Sequence, residues 1–278
     1  MMIESTGQKV LKVLLYVFLI ITAAIMLLPF LWMISASLKQ DRDVFTFPIQ
    51  WIPAEPEWAN YSRIWTQIPL LTYILNTVKL TIIVTLLQLF TSSFAAYAFS
   101  KLRFKGRNAL FLGYIATIAV PWQAYMVPQF MMLRSMGLNN THLAIIILQA
   151  FSAFGVFMMK QFYEGVPTEL CEAARIDGMT EYGIYARIML PLAKPALSTL
   201  TIFTFVNTWN DFLGPYIYLT RDQLKTIQLG LRSFIGQYSS EYGLIMAGSV
   251  VTMIPVIAVF LALQKYFVEG VASSGLKG

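Results

Sequence analysis

Five consecutive residues, Asn207-Thr208-Trp209-Asn210-Asp211, place two carboxamides, an indole and a carboxylate in one short stretch. Carboxamides and acids hydrogen-bond hydroxyl groups, and aromatic faces cover the C–H side of a sugar ring, so this set points to recognition of a hydroxyl-rich solute. Gln88, Gln123, Gln149 and Ser152 are further polar residues inside apolar stretches. An acid within a membrane usually faces a cavity, which makes Asp211 a pathway candidate together with Gln149, Asn207, Trp209 and Asn210. Two other roles stay open: Asp211 at an outer interface, and Gln88 or Gln149 as bonds between helices. Covalent chemistry has no comparable set. There is one cysteine, Cys171, and one histidine, His142, so neither a metal cluster nor a nucleophile–His–acid arrangement is available. Cys171 reads as a small helix filler and His142 as an interfacial residue. No Gly-x-x-x-x-Gly-Lys-Ser/Thr segment occurs, so the chain has no Walker-type nucleotide loop of its own.

The elements that position these residues follow from composition. Of 278 residues, 57% are hydrophobic and 12% charged, against roughly 45–50% and about 25% in soluble domains. So little ionic surface cannot solvate a globule of this length, and the excess apolar residues must face lipid. The net charge of +6 does not form a soluble basic face; the cations sit beside apolar stretches, which argues against nucleic acid and for membrane anchoring. The expected fold is an all-α integral membrane protein.

Six stretches of about 20 apolar residues are expected to span the bilayer: 13–38, 71–99, 109–133, 142–159, 193–213 and 244–263. The first is too long for the ~7–15-residue core of a secretory signal. Lys79 lies a third of the way along the second, near enough to an end for its side chain to reach the interface. Pro121 and Pro128 each remove a helical hydrogen bond from the third. Residues 39–69 mix Trp51, Trp58, Tyr61 and Trp65 with prolines, the composition of short helices lying along the interface. No repeat or linker divides the chain, so residues 1–278 read as one transmembrane domain.

Charge sets the direction. Lys101, Arg103, Lys105 and Arg107 crowd one short loop without an acid, and the positive-inside rule makes that loop cytoplasmic. Both termini are then cytoplasmic, with twelve of the twenty Lys and Arg inside, seven outside and Lys79 in the membrane.

The loop at 161–194, between spans four and five, reads as a helical hairpin. Pro167 or Thr168 starts its first helix, and Leu170, Ala173, Ala174 and Asp177 follow the i, i+3, i+4, i+7 spacing. Glu172 and Arg175, three apart, are expected to pair. Gly178 ends this helix by adopting positive φ. Thr180 caps a second helix that runs to about Leu190, and Pro191 breaks it. Spacing leaves two roles open: a knob on which another protein docks, or a surface hairpin packed under its own bundle.

The run Glu172-Ala173-Ala174-Arg175-Ile176-Asp177-Gly178, followed by Ile188-Met189-Leu190-Pro191, resembles the EAA loop of ABC-importer permeases in both halves and in their spacing. Asn207 to Phe212 and the tail from Gln264 to Gly278 resemble the carbohydrate-uptake branch, in particular the second membrane subunit of maltose-type importers. The resemblance implies six spans and a coupling helix seated in a cytoplasmic ATPase. Glu172 would be the docking carboxylate, Ala173 and Ala174 the close-packing positions and Gly178 the turn, with Asp177, Leu190 and Pro191 completing the coupling segment. It also implies the company the chain keeps: a homologous second permease as heterodimer partner, two cytoplasmic ATPase subunits that use ATP and Mg, and an extracytoplasmic solute-binding protein meeting the loop at 215–242. No cofactor would be bound by this chain. In that branch the partner permease supplies much of the sugar site. Import of glycerol phosphate-like solutes is the alternative within the family. A secondary transporter would need inverted repeats and paired intramembrane charges, which are not evident.

Overall fold

The computed structural model describes residues 6–236 and 240–275. In chain order the helices are α1 (Thr6–Ser37), α2 (Ala59–Gln67), α3 (Leu70–Lys101), α4 (Arg107–Ala116), α5 (Met126–Ser135), α6 (His142–Gln149) and α7 (Ala153–Glu164). There follow α8 (Glu169–Ile176), α9 (Glu181–Ile184), α10 (Leu190–Leu192), α11 (Lys194–Trp209), α12 (Leu213–Tyr218), α13 (Ile227–Arg232) and α14 (Tyr242–Gly275). Among the described residues the only strand-like pairing is an isolated bridge between Ile235 and Ser240. The chain divides into two compact units, one within Met1–Pro69 and Leu231–Met253, the other within Leu70–Gly230 and Ile254–Gly278.

Among the described residues, four helical segments are long and apolar enough to cross a membrane: Gly7–Ser37, Leu70–Lys101, His142–Glu164 and Tyr242–Lys265. None of the most apolar window of Gly7–Ser37 is buried, and Phe18, Met26 and Leu11 are each at least two-thirds exposed. A helix apolar all round that leaves such side chains uncovered is built for lipid. A fifth crossing is available if Glu181–Leu192 and Lys194–Trp209, bent by 77° to each other, act as one broken span.

The stretch 109–133 does not form the continuous helix its apolarity suggests. α4 ends in a 3-10 turn, Val120 is extended (φ −86°, ψ 113°), and a second 3-10 turn at Trp122–Ala124 precedes α5. Pro121 is the cause: its ring disfavours helical geometry at Val120 and it has no N–H to donate. Pro128 sits harmlessly in the first turn of α5, where donors are unused anyway. The other spans shift less. The 142–159 stretch is two helices divided at 150–152, and the 193–213 stretch is interrupted after Trp209.

In the first unit, the Asn60 carboxamide donates to the carbonyls of Ser37 and Lys39 at 3.0 and 2.9 Å. Asp41 accepts from the Gly243 N–H at 2.8 Å, and Arg63 pairs with Glu241 at 3.2 Å. Trp51, Trp58 and Trp65 stay exposed beside the short helix α2, the arrangement expected of interfacial aromatics.

In the second unit α3 packs on both α7 and α11. Gly155 of α7 permits this, because a Cβ there would run into the Ser92 side chain of α3 and lie 3.3 Å from Leu200 of α11. Lys79 is exposed. His142 is buried, with Nε2 2.8 Å from the Leu224 carbonyl.

Candidate functional site

Two sites emerge, both inside the second unit. The first is the hairpin. α8 starts at Glu169, with Thr168 flanking it but making no side-chain cap bond. It ends in a complete Schellman motif: Gly178 has φ +80°, its N–H donates to Arg175, and the Met179 N–H donates to Ala174. The Thr180 hydroxyl caps α9 by accepting from the Gly183 N–H at 3.2 Å.

The hairpin has an inner and an outer side. Cys171 and Ala174 are buried in the core formed with Tyr97, Met159, Tyr163, Ile184 and Met189. Ala174 therefore packs against its own chain and is not on the face open to docking. Burial pushes the Cys171 thiol up, so it behaves as a small inert apolar group. Glu172, Ala173, Ile176, Asp177 and Gly178 are exposed, Ile176 at 87%. The tip therefore presents one uncovered isoleucine beside the carboxylates of Glu172 and Asp177.

Arg175 does not pair with Glu172. It reaches across the turn to Glu181, with Nε 2.6 Å from Oε1 and a second N–H 3.3 Å from Oε2. Tyr97 of α3 donates to the same carboxylate. Those hydrogen bonds, Arg175 first, hold the Glu181 carboxyl below the usual glutamate range and raise the Arg175 guanidinium. Lys101 adds a bond to the Val166 carbonyl at 2.6 Å, just before the hairpin. Charge patterning near the turn missed Glu181 because the i, i+3 rule looks only within one helix.

Pro191 does not end the second helix. A π turn at Tyr185–Met189 widens the helix before it, and α10 carries Pro191 in its first turn. The wider turn relieves the clash a proline ring makes with the carbonyl four residues earlier. Leu190 packs against the hairpin core, Pro191 is exposed, and the chain bends only at Ala193.

The second site is a cavity of about 300 Å³ whose lining includes Gln88, Gln149, Asn207 and Asp211. Trp209 and Asn210 are not in its lining. Trp209 is 1% exposed and stacks on Phe205; Asn210 donates to the Val206 carbonyl and meets Gln228. Within α11, Asn207 faces the cavity and Trp209 its own core, and Asp211 comes to the cavity from beyond the helix end at Trp209. Gln149 Nε2 donates to Asp211 Oδ2 at 2.6 Å, and the Gly214 N–H to Oδ1 at 3.1 Å. Gln88 is held between the Gln149 carbonyl and the Thr204 hydroxyl, so it bonds neighbouring helices and lines the cavity as well. Gln123 is exposed and Ser152 caps α7 through the Gly155 N–H. Sequence reading missed Trp122, Tyr125, Gln129 and Tyr218, which also line it; for the first three the signal was the break at Pro121, and Tyr218, on α12, carried none.

The second unit thus carries a hairpin with exposed acids at its tip and an open cavity lined by polar and aromatic side chains. Residues 88–273 match the family described as binding-protein-dependent transport system inner membrane component. The chain belongs to that family. As a family member it is a multi-pass membrane component of a transport system and not an enzyme. It is 36% identical over 259 residues to the arabinooligosaccharides transport system permease protein AraQ of Halalkalibacterium halodurans, covering 92% of this chain and 93% of that one. It is 31% identical to the lactose transport system permease protein LacG of Rhizobium radiobacter, over 98% and 99%. Among solved structures it matches a bacterial ABC transporter involved in the import of the acidic polysaccharide alginate. There the TM-score is 0.82 at 26% identity, over 96% of this chain and all of that one.

Proposed function

We propose that the chain is the permease subunit of an ATP-driven importer that moves a sugar or oligosaccharide delivered by an external binding protein. The observation that carries this reading is the near full-length likeness to permeases named for arabinooligosaccharide and lactose transport, together with the hairpin. The chain works as one permease domain of six spans, the broken 107–135 segment and the 193–213 stretch, carried largely by α11, completing the four long helices. Both termini and the 161–194 hairpin face the cytoplasm, as the cation distribution favours.

The partners are a homologous second permease, two cytoplasmic ATPases that consume ATP with Mg, and the binding protein; this chain holds no cofactor. Glu172, Ala173, Asp177 and Gly178 form the docking tip, with Ala174, Leu190 and Pro191 tying it to the bundle. ATP moves the bundle only through a difference in how the ATPases grip its two states. A hairpin braced by Arg175, Glu181 and Tyr97 passes that difference on without bending. Asn207, Asp211 and Gln149 lie on the solute path.

The test is purification and reconstitution. The chain should co-purify with an ATPase and a second permease, and vesicles holding the assembly should import a saccharide only with ATP and the binding protein. Solute accumulation by this chain alone, without nucleotide, would contradict the reading.

A further inference from the structure

We infer that the cavity is a saccharide subsite of this chain's own, built to admit neutral sugar rings and turn away acidic ones, with Gln129 as its fixed donor. This rests on the transport reading above and goes beyond it by naming the class of sugar and the residue that selects it.

Gln129 Oε1 accepts from Trp122 Nε1 at 2.8 Å and from the Tyr218 hydroxyl at 2.9 Å. An indole N–H only donates, so the carboxamide cannot flip, and both carbonyl lone pairs are used. Its NH2 group has no partner among the described residues and belongs to a side chain lining the cavity. That makes it a donor of fixed sense. Gln149 and Asp211 in the same lining are acceptors of fixed sense. Gln149 Nε2 is committed to Asp211, which leaves Gln149 Oε1 free, and Asp211 keeps lone pairs beyond the two bonds it accepts. A sugar hydroxyl both donates and accepts, so it bridges such groups, while Trp122 and Tyr125 offer faces for the ring's C–H side.

Charge sets the selection. The lining contains one formal charge, the Asp211 carboxylate, and neither lysine nor arginine. A uronate would bring its carboxylate beside Asp211 with no cation in the lining to pair with it. About 300 Å³ is at the small end of ligand pockets, ~300–1,000 Å³, which suits a short stretch of a saccharide passing through.

The test measures calorimetric binding of arabinotriose, maltotriose and trigalacturonate to the assembled importer without its binding protein. A neutral trisaccharide should bind at least about tenfold more tightly than trigalacturonate. Gln129→Glu, which still accepts from Trp122 and Tyr218 but has lost the donor, should weaken neutral binding by about tenfold or more. Gln129→Met, isosteric and without donors, should do the same and decides the matter if the glutamate variant fails to assemble; assembly is read by co-purification. Equal binding of trigalacturonate, no binding of either neutral sugar, or neutral binding untouched by both variants overturns the inference. Wild-type vesicles that still import a saccharide with ATP in that event leave the transport reading standing; failure of import with every saccharide sinks that reading too.

Discussion

Arg175 and Glu181, six residues apart across the turn at Gly178, form a two-pronged ion pair with a closest approach of 2.6 Å. The pair clasps α8 to α9, and Tyr97 fastens the same carboxylate to α3. The hairpin is thus tied both to itself and to the longest helix of its unit, and a load on its tip has a stiff route into the bundle.

Glu181→Ala should loosen this clasp and lower the ratio of solute imported to ATP hydrolysed several-fold, with hydrolysis itself persisting. Both partners are about a third exposed or more (34% and 41%), so the ion pair itself contributes less than about 1 kcal/mol, and the buried Tyr97 hydroxyl left without its acceptor adds about 1–3 kcal/mol. Unchanged coupling in reconstituted vesicles would show that the clasp transmits nothing.

The same pair carries a pH signature. Glu181 is held below the ordinary glutamate range by Arg175 and Tyr97. Its contribution is therefore complete above that range and disappears as pH falls through the depressed folded value. Amide exchange across 169–184 should keep its protection from pH 7 to about 5 and lose part of it below about 4. Protection that instead weakens on raising the pH would contradict the assignment.

Glu172 is exposed at the tip and reverses the local charge when replaced by lysine. Glu172→Lys should abolish uptake while leaving membrane insertion and protein level intact. Transport at the normal rate would remove this carboxylate from the dock.

Gly178 has φ +80° with open space around its Cα, so strain and not collision limits substitution. Gly178→Val should cost on the order of 1–2 kcal/mol locally and uncouple hydrolysis from uptake, whereas Gly178→Asn should retain most coupling. Equal behaviour of the two variants would mean that the turn's conformation is immaterial.

Gly155 marks the α3–α7–α11 contact. Gly155→Leu must displace Ser92 and Leu200, and overpacking of this kind costs about 1–3 kcal/mol. The melting temperature in detergent should drop measurably, and a variant as stable as the parent would mean that these helices are loosely packed.

Much was legible in the sequence because one-dimensional signals suffice for it. Apolar run length finds helices that must meet lipid, whatever they later pack against, and α1, α3 and α14 follow it closely. Turn chemistry is equally local: Gly178 needs no neighbours to prefer positive φ, nor Thr180 to cap a helix. Other outcomes depended on contacts between residues distant along the chain. Arg175 had an acid on its own helix but found Glu181 with Tyr97 behind it, because packing against α3 fixed where that carboxylate sits. Ala174 and Trp209 turned inward, and Gln129 acquired two donors from separate segments. Periodicity says which side chains share a face, but only the assembled helices decide whether that face meets lipid, a cavity or its own core.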